Sequence, residues 1–260
     1  MTRGVSGKSN RLSVARGFLT YLQASEPEVE IPDKYILASA KRRKPYIFSS
    51  QEIIDLLQAA STIRPRDTLR PYTYTAILGL MASTGLRVSE VTKLTVSDVN
   101  FNSHPPKIFI MEAKCYKSRI VPLHPSTGTK LQQYKKMRTK MGYAGLSDAF
   151  FVSEKGGHIS YGALYKWFNR TTRRLGMISE GTCREPTLHS LRHTFAVARL
   201  TKWCEEEMPV QDLMPNLSVY LGHLRPEDTY WYLTVTPALL LTASALFQNH
   251  VIQESNDEKP

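Results

Sequence analysis

Residues 187–233 have the sequence TLHSLRHTFAVARLTKWCEEEMPVQDLMPNLSVYLGHLRPEDTYWYL. This stretch is rich in residues that bind or attack phosphate, namely His189, Arg192, His193, His223, Tyr230 and Tyr232. Such a density of these side chains is unusual for a protein core or a plain surface. An arginine holds two phosphate oxygens through its fixed fork of donors, and a tyrosine phenolate can attack a phosphodiester. The stretch therefore predicts a site that binds one phosphate and attacks it.

The earlier segment STGLRVSE, residues 83–90, supplies a second arginine, Arg87. The helix before it is predicted to end at Gly85, because glycine readily adopts the left-handed conformation found at helix ends. Gly222 similarly permits a tight turn, and close backbone approach to a ligand, just before His223. Both segments therefore combine a glycine turn with a side chain suited to phosphate.

The length and charge of the chain limit its class. It has 260 residues, enough for one large domain or for one domain and a fragment of another. Its formal net charge is +11, which is typical of nucleic-acid binders because lysine and arginine neutralise phosphates and release counterions. The alternative is a basic protein whose charges are simply solvated.

Cysteine usage and hydropathy indicate the compartment. Cys115, Cys183 and Cys204 are widely spaced and form no C-x-x-C motif, which argues against a zinc site or a disulfide framework and fits a reducing compartment. The sequence contains no apolar run as long as a membrane span, and MTRGVSGKSN has no apolar signal core. We therefore expect a soluble, cytoplasmic protein.

Two structured blocks are predicted along the chain, and the second of them contains the phosphate site. Apolar periodicity predicts a helix over 9–24, and the acidic segment 26–33 is predicted to be a loop. The basic run Lys41-Arg42-Arg43-Lys44 follows, as a solvated charge run or as a linker that lies on DNA. Ser49 and Glu52 then form a capping box that begins the second block.

The second block is predicted to be mainly α-helical, an α+β arrangement with a small antiparallel sheet. Periodicity predicts helices near 71–83, 89–94, 126–141, 161–175, 189–204, 214–221, 226–232 and 237–248. Residues 107–111 and 119–123 are predicted to form a β-hairpin, and Phe150-Phe151-Val152 is a candidate third strand. The polar end of the chain is predicted to be flexible.

Each candidate residue also has a plainer interpretation. His189 and His193 lie four residues apart and could bind a metal ion, but Ser190 stands where the metalloprotease motif requires glutamate. We therefore predict no metal site. His223 alone could be structural, and Tyr232 alone could be a packed aromatic side chain. The combination carries more weight than any single member.

Five motifs occur in order along the chain: Thr84-Gly85-Leu86-Arg87-x-x-Glu90, Lys114 in AKCYKSRIVPL, His189-x-x-Arg192-His193, Leu221-Gly222-His223 and Tyr232. Together they resemble the tyrosine recombinase (phage integrase) family, including its Xer and transposon-encoded members. The resemblance covers about residues 45–248. It implies a mostly α-helical catalytic domain with a small β-hairpin or three-stranded sheet, in agreement with the fold predicted from periodicity.

The resemblance implies which residues hold DNA. Arg87 and Arg192 clamp the scissile phosphate, and His223 hydrogen-bonds one of its oxygens. Glu90 and His193 are supporting residues, with Glu90 orienting Arg87. The predicted DNA-binding residues are Lys41, Arg42, Arg43, Lys44, Lys117 and Arg119. Double-stranded DNA is the implied partner, and the resemblance implies a prokaryotic protein associated with the nucleoid.

The resemblance also implies the reaction. Tyr232 attacks the phosphate with His189 as general base, and Lys114 protonates the leaving 5′ oxygen. A partner strand's 5′ hydroxyl then resolves the 3′-phosphotyrosyl linkage, so no cofactor, metal ion or ATP is needed. Lys117 is a rival for Lys114, because both lie near the hairpin turn. Tyr230 is a rival for Tyr232, but positions i and i+2 face different sides of a helix, and the family spacing favours Tyr232.

The predicted domain organisation departs from the family at the N-terminus, where the chain looks shortened. We expect residues 1–40 to be a remnant of a helical core-binding domain and 41–47 a basic linker. Residues 48–248 are then the catalytic domain, and 249–260 are a flexible tail. The final predicted helix, 237–248, corresponds to the segment that family members dock onto a neighbouring protomer. The resemblance therefore implies a homo-tetramer on DNA and a monomer when no DNA is bound.

Three functions fit these features. The first is a site-specific recombinase or integrase of a mobile element. The second is a DNA-binding remnant that forms no productive covalent adduct, because its N-terminal domain is shortened. The third is a relaxase like the type IB topoisomerases, which uses similar chemistry without strand exchange.

Overall fold

The chain divides into two compact units, residues 1–43 and residues 44–260. The computed structural model describes residues 5–33, 35–36, 44–113, 117–178 and 184–235. The first unit contains helix α1 (Val5–Gln23), so the helix predicted over 9–24 is confirmed and begins one turn earlier. Among the described residues, no helix combines the length and the apolar character that crossing a bilayer requires.

The described part of the second unit contains eight helices and a three-stranded sheet. In chain order they are α2 (Ser50–Ser61), α3 (Arg70–Thr84), α4 (Val88–Lys93), β1 (Val99–Asn100), β2 (Lys107–Ala113), β3 (Lys117–Pro122), α5 (Pro125–Lys140), α6 (Tyr161–Arg174), α7 (Leu188–Glu205), α8 (Val210–Leu221) and α9 (Glu227–Val235). The predicted fold class is therefore confirmed. The predicted helix 237–248 and tail 249–260 lie outside the described residues.

The helix boundaries follow from local sequence signals. Ser49 accepts the backbone N–H of Glu52, and the Glu52 carboxylate accepts the N–H of Ser49, so the predicted capping box begins α2. Gly85 ends α3 in the left-handed conformation, with φ of 66°. Helix α8 begins at Val210, a full turn before the predicted start at 214, and it accommodates Pro215.

The sheet has the order β1-β2-β3, and both pairs are antiparallel. The predicted hairpin is confirmed, with Ile108 paired to Val121. The predicted strand at 150–152 is wrong, because the third strand is the short β1. Val152 forms an isolated bridge with His158, and burial of the large side chains of this segment explains its apolar composition.

The core has two parts in the second unit. The larger part is built from α2, α3, the sheet, α5 and α6. The smaller part lies between α7, α8 and α9, and it includes Leu200, Leu217 and Tyr232. Burial of these apolar faces fixes the ends of α7, α8 and α9 relative to one another.

The segment from Lys44 to Phe48 is bonded to the region of α7. The backbone N–H of Phe48 donates to Thr194 Oγ1 over 2.9 Å, and both groups are buried. Thr194 Oγ1 in turn donates to the carbonyl of Ser190 over 2.9 Å. The N–H of Arg184 donates to the Lys44 carbonyl over 3.0 Å, so this segment is tied to the chain on both sides of the start of α7.

Candidate active site

Two glycine-ended helices, α3 and α8, meet at the site. Gly85 and Gly222 both adopt positive φ, at 66° and 68°. A Cβ on Gly85 would lie 2.6 Å from the Phe195 ring, and one on Gly222 would lie 2.7 Å from Nη1 of Arg119. The backbone conformation and the neighbouring atoms therefore both require glycine at each position.

Arg192 joins these two helix ends. Its side chain is 1% exposed, and its Nη1 and Nη2 donate to the carbonyls of Gly85 over 2.9 Å and Leu221 over 2.7 Å. These carbonyls carry the partial negative charge of helix C-termini, which suits a cation. Burial, reinforced by the charge of Arg87, lowers the pKa of Arg192 to about 10, and Arg192 therefore stays charged at neutral pH.

Arg87 is bonded to Glu90 through both its side chain and its backbone. Arg87 Nη1 donates to Glu90 Oε1 over 2.9 Å, and the Arg87 backbone N–H donates to Oε2 over the same distance. Arg87 Nη2 donates to the carbonyl of Gly222 over 2.7 Å. Arg87 thus lies between the start of α4 and the end of α8, with its side chain 21% exposed.

Arg119 lies inside the site, although the sequence predicted it as a contact to DNA. Its Nη1 and Nη2 donate to the two carboxylate oxygens of Glu90 over 3.0 and 2.9 Å, and its Nε donates to the Tyr220 carbonyl over 2.9 Å. Burial would raise the pKa of Glu90, but hydrogen bonding and charge from Arg119, followed by Arg87, hold it below its ordinary value. We call Arg87, Glu90, Arg119 and Arg192 the arginine cluster.

Tyr232 and His193 form the other side of the site. The Tyr232 hydroxyl is 2.8 Å from His193 Nδ1, and the tyrosine is 2% exposed. The ring of His189 lies edge-on to that of His193, with centroids 4.6 Å apart. Tyr230 is 37% exposed, on another face of α9. The geometry thus distinguishes the two tyrosines, and it places His193 in hydrogen-bonding contact with Tyr232.

His223 follows the Gly222 turn and lies beside Tyr232. Its Nδ1 is 2.6 Å from Thr229 Oγ1, and Thr229 is fully buried. The rings of His223 and Tyr232 are nearly parallel, with centroids 6.3 Å apart. We call His193, His223, Thr229 and Tyr232 the tyrosine cluster.

A family model described as the phage integrase family matches residues 47–238, most of the chain. The chain belongs to the phage integrase family. The family predicted from the five motifs is therefore confirmed. The match includes every residue of the arginine and tyrosine clusters.

Relatives agree on the class of enzyme. A Sinorhizobium fredii protein described as an integrase/recombinase is 36% identical over 240 residues, covering 90% of this chain and 76% of the relative. The tyrosine recombinase XerD of Oceanobacillus iheyensis is 29% identical over 235 residues, covering 89% of this chain and 72% of the relative. The predicted class, a tyrosine-type site-specific recombinase, is confirmed.

Solved structures share the fold of this phage integrase family member. The XerH site-specific recombinase bound to its difH substrate, in a post-cleavage complex, has a TM-score of 0.71 at 19% identity, covering 95% of this chain and 68% of that chain. A lambda integrase dimer bound to a COC′ core site has a TM-score of 0.59 at 19% identity, covering 87% and 59%. The mainly helical recombinase fold is therefore confirmed.

The structure does not describe all of the predicted site residues. Lys41, Arg42, Arg43 and Lys114 lie outside the described residues. Lys44 is exposed at the start of the second unit, and Lys117 is the first residue of β3. The described residues contain no group of three or more potential metal ligands.

Sequence reasoning missed two features of the site. Thr229 was not identified, although it lies three residues before Tyr232 on the same helix, a spacing that places both near one face. The contacts of the arginines to the carbonyls of Tyr220, Leu221 and Gly222 were also missed, because every residue has a carbonyl. The motif Leu-Gly-His marked this helix end without indicating what it binds.

Proposed function

We propose that the chain recombines DNA at specific sites by cleaving and rejoining strands through a 3′-phosphotyrosyl intermediate. The observation that carries this proposal is the Tyr232 hydroxyl bonded to His193, beside the buried charge of Arg192. A phenol with a proton acceptor on one side and a fixed cation on the other is suited to attack a phosphodiester. Membership of the phage integrase family supports the same chemistry.

In the proposed step, Tyr232 Oη forms a bond to the scissile phosphorus, and the bond from phosphorus to the 5′ oxygen breaks. The phenol proton passes to a histidine, and Lys114 gives a proton to the leaving oxygen. The 5′ hydroxyl of a partner strand then attacks the phosphotyrosine and restores the phenol. The number of phosphodiester bonds is unchanged, so neither step requires ATP, and the side chains named supply each group without a metal ion.

Arg87 and Arg192 are proposed to hold the non-bridging oxygens of the scissile phosphate. Negative charge accumulates on these oxygens in the transition state, and positive groups already fixed in a partly buried site stabilise it without reorganisation. Both arginines are held by helix-end carbonyls before DNA arrives. His223 is proposed to donate from Nε2 to the same phosphate, because Thr229 contacts its Nδ1.

Two histidines are candidates for the base that accepts the phenol proton. The family resemblance names His189, whereas the contact of 2.8 Å to Tyr232 favours His193. Their rings are in edge-to-face contact, so a proton accepted by His193 lies next to His189. We propose His193 as the direct acceptor and His189 as the residue beside it that faces the exposed side of the site.

Double-stranded DNA is the proposed partner. The XerH structure is a complex with a difH substrate and the lambda integrase structure is a complex with a core site, and the net charge of +11 suits a phosphate-rich ligand. We propose residues 48–248 as the catalytic domain, 1–40 as part of a DNA-binding domain, and the basic run 41–44 as a linker on the phosphate backbone. The segment 237–248 is proposed to join protomers in a DNA-bound tetramer.

A suicide substrate tests the proposed function. The DNA flanking the gene is first searched for inverted repeats, and a nicked duplex with that sequence loses a short 5′-hydroxyl fragment after cleavage, which traps the covalent adduct. The wild-type chain is expected to form an adduct that survives denaturing electrophoresis, and Tyr232→Phe is expected to form none while binding the same DNA. Tyr230→Phe is the matched control and is expected to retain the adduct.

Other outcomes distinguish the competing functions. Salt-dependent DNA binding without an adduct in the wild-type chain would identify a DNA-binding remnant. Relaxation of supercoiled plasmid without recombinant product would identify a relaxase. An adduct that persists in Tyr232→Phe and disappears in Tyr230→Phe would move the nucleophile to Tyr230.

A further inference from the structure

We propose that Arg119 is a positioning residue of the cleavage reaction, which joins Glu90 to the end of α8 and thereby sets the position and charge of Arg87. This inference rests on the proposed function. It replaces the prediction that Arg119 contacts DNA directly. In the proposed reaction, Arg119 contacts neither the scissile phosphate nor Tyr232.

The geometry makes Arg119 a bridge between three elements. Arg119 lies on β3, Glu90 on α4 and Tyr220 on α8. Two parallel hydrogen bonds of 3.0 and 2.9 Å join the guanidinium to the carboxylate, and a third of 2.9 Å joins Nε to the Tyr220 carbonyl. Such a two-pronged pair fixes orientation as well as distance, which a lysine cannot reproduce.

Arg119 also determines how much positive charge Arg87 retains. Glu90 Oε1 accepts from Arg87 Nη1 over 2.9 Å and from Arg119 Nη1 over 3.0 Å. One carboxylate is thus shared between two guanidinium groups, which leaves net positive charge on the three side chains. Without Arg119, Glu90 would pair with Arg87 alone, and the charge presented to a phosphate would fall.

The glycine of the Leu-Gly-His motif is explained by the same residue. The Arg119 guanidinium lies against the Cα of Gly222, so that a Cβ there would be 2.7 Å from Nη1 and 2.9 Å from Cζ. The carbonyl of Gly222 is the acceptor for Arg87 Nη2 at 2.7 Å. Arg119 therefore packs against the residue whose carbonyl Arg87 uses.

A positioning role and a DNA contact predict different results. The Arg119 side chain is 8% exposed, and both prongs of its fork are bonded to Glu90. A residue that contacts DNA phosphates contributes to affinity, and its loss weakens binding. A residue that positions Arg87 contributes to the rate of adduct formation at saturating DNA.

The variants are Arg119→Met and Arg119→Lys, with Arg138→Met as the matched control. Arg138 on α5 is also buried, at 5% exposure, and its Nη2 donates to the Ser147 carbonyl over 3.0 Å, outside the arginine and tyrosine clusters. Arg119→Met is expected to slow adduct formation about 100-fold, as for loss of a preorganised transition-state contact. Its Kd for the suicide duplex should match the wild-type Kd.

Arg119→Lys keeps the charge but loses the fork, so it is expected to recover part of the rate. If Arg119→Met fails to fold, the rate and Kd of Arg119→Lys still distinguish a positioning role from a DNA contact. Arg138→Met is expected to lower Tm while keeping the wild-type rate. A loss of rate in Arg138→Met equal to that in Arg119→Met would make the effect one of general stability and overturn the proposal.

A methylphosphonate at the scissile position provides a readout that a merely structural role would not change. It replaces a charged non-bridging oxygen with a neutral methyl group, so less positive charge is needed. If Arg119 acts through the charge of Arg87, the loss in Arg119→Met should shrink from about 100-fold to about tenfold on this substrate. An equal loss on both substrates would contradict the inference.

The outcomes separate this inference from the proposed function. Absence of a wild-type adduct overturns both. A wild-type adduct with an unchanged rate in Arg119→Met overturns only the role of Arg119. Arg119→Met could instead raise the Kd for the suicide duplex and slow adduct formation only at low DNA concentration, with a normal rate at saturating DNA. That result would make Arg119 a DNA contact and overturn its positioning role.

Discussion

The arginine cluster and the tyrosine cluster are held in different ways. In the arginine cluster, guanidinium groups donate to the carbonyls of Gly85, Leu221 and Gly222 and to a buried carboxylate. In the tyrosine cluster, the bonds join side chains to side chains, Tyr232 to His193 and Thr229 to His223. Main-chain carbonyls cannot rotate away, whereas hydroxyls and imidazoles can exchange protons and partners. The arginine cluster, with its fixed contacts, therefore suits binding of a charged group. The tyrosine cluster, with its exchangeable contacts, suits proton transfer.

The largest expected effect is in the arginine cluster. Glu90→Gln leaves two guanidinium groups without their carboxylate, and removal of one partner of a buried ion pair costs about 3 kcal/mol of unfolding free energy. The pKa of Glu90 is lowered in the folded chain from its ordinary 4.5. The contribution of the Glu90 carboxylate to the free energy of unfolding is therefore fully present above pH 4.5 and is lost as the pH falls through the pKa of the folded state.

Urea unfolding of both proteins checks this prediction. The difference in unfolding free energy between wild type and Glu90→Gln should have its largest value at neutral pH. It should shrink as the solution is acidified below the ordinary carboxyl pKa. The exposed Glu154 provides a control, and Glu154→Gln should unfold like wild type at each pH. A difference that is constant with pH would show that the carboxylate charge is not what holds the arginine cluster.

The second effect is in the tyrosine cluster and separates its two histidines. His193→Gln is expected to slow adduct formation about 100-fold, the usual contribution of a general base. His189→Gln is expected to slow it less, since the His189 ring lies edge-on to that of His193, which is itself bonded to Tyr232. Both rates are measured on the suicide duplex at saturating DNA, and the reverse order would restore His189 as the base.

The smallest effect concerns Thr229. Thr229→Val keeps the shape of the side chain but removes the hydroxyl that contacts His223 Nδ1, so the imidazole loses the contact that sets its tautomer. Adduct formation is expected to slow about tenfold, because loss of one hydrogen bond raises the activation free energy by about 1.4 kcal/mol. Thr229→Ser keeps the hydroxyl and should retain the wild-type rate. Equal losses in both variants would mean that packing, rather than the hydrogen bond, positions His223.

The sequence predicts local features of this fold well. Gly85 and Gly222 end helices, Ser49 caps one, and the hairpin lies where alternating apolar residues place it. These signals work because each depends on a few adjacent residues. The order of the motifs was enough to predict the family, and the family spacing after His223 favours Tyr232 over Tyr230.

The contacts that assemble the site were not predictable in the same way. Glu90 and Arg119 are 29 residues apart in sequence, and each has many possible partners on charge alone. Residues 150–152 look like a strand because burial in a helical core and burial in a sheet select the same apolar side chains. His193 could be distinguished from His189 only when the position of α9 against α7 was known.

The tie between Phe48 and Thr194 gives the site a mechanical property. Thr194 lies one residue beyond His193 and two beyond Arg192, and its hydroxyl is bonded on one side to the Phe48 amide and on the other to α7. A pull on the chain at residue 44 first loads the bond between the Lys44 carbonyl and the Arg184 amide, and beyond it the bond between Phe48 and Thr194, which must break or displace α7. Tension that passes residue 48 thus reaches the helix that carries Arg192 and His193.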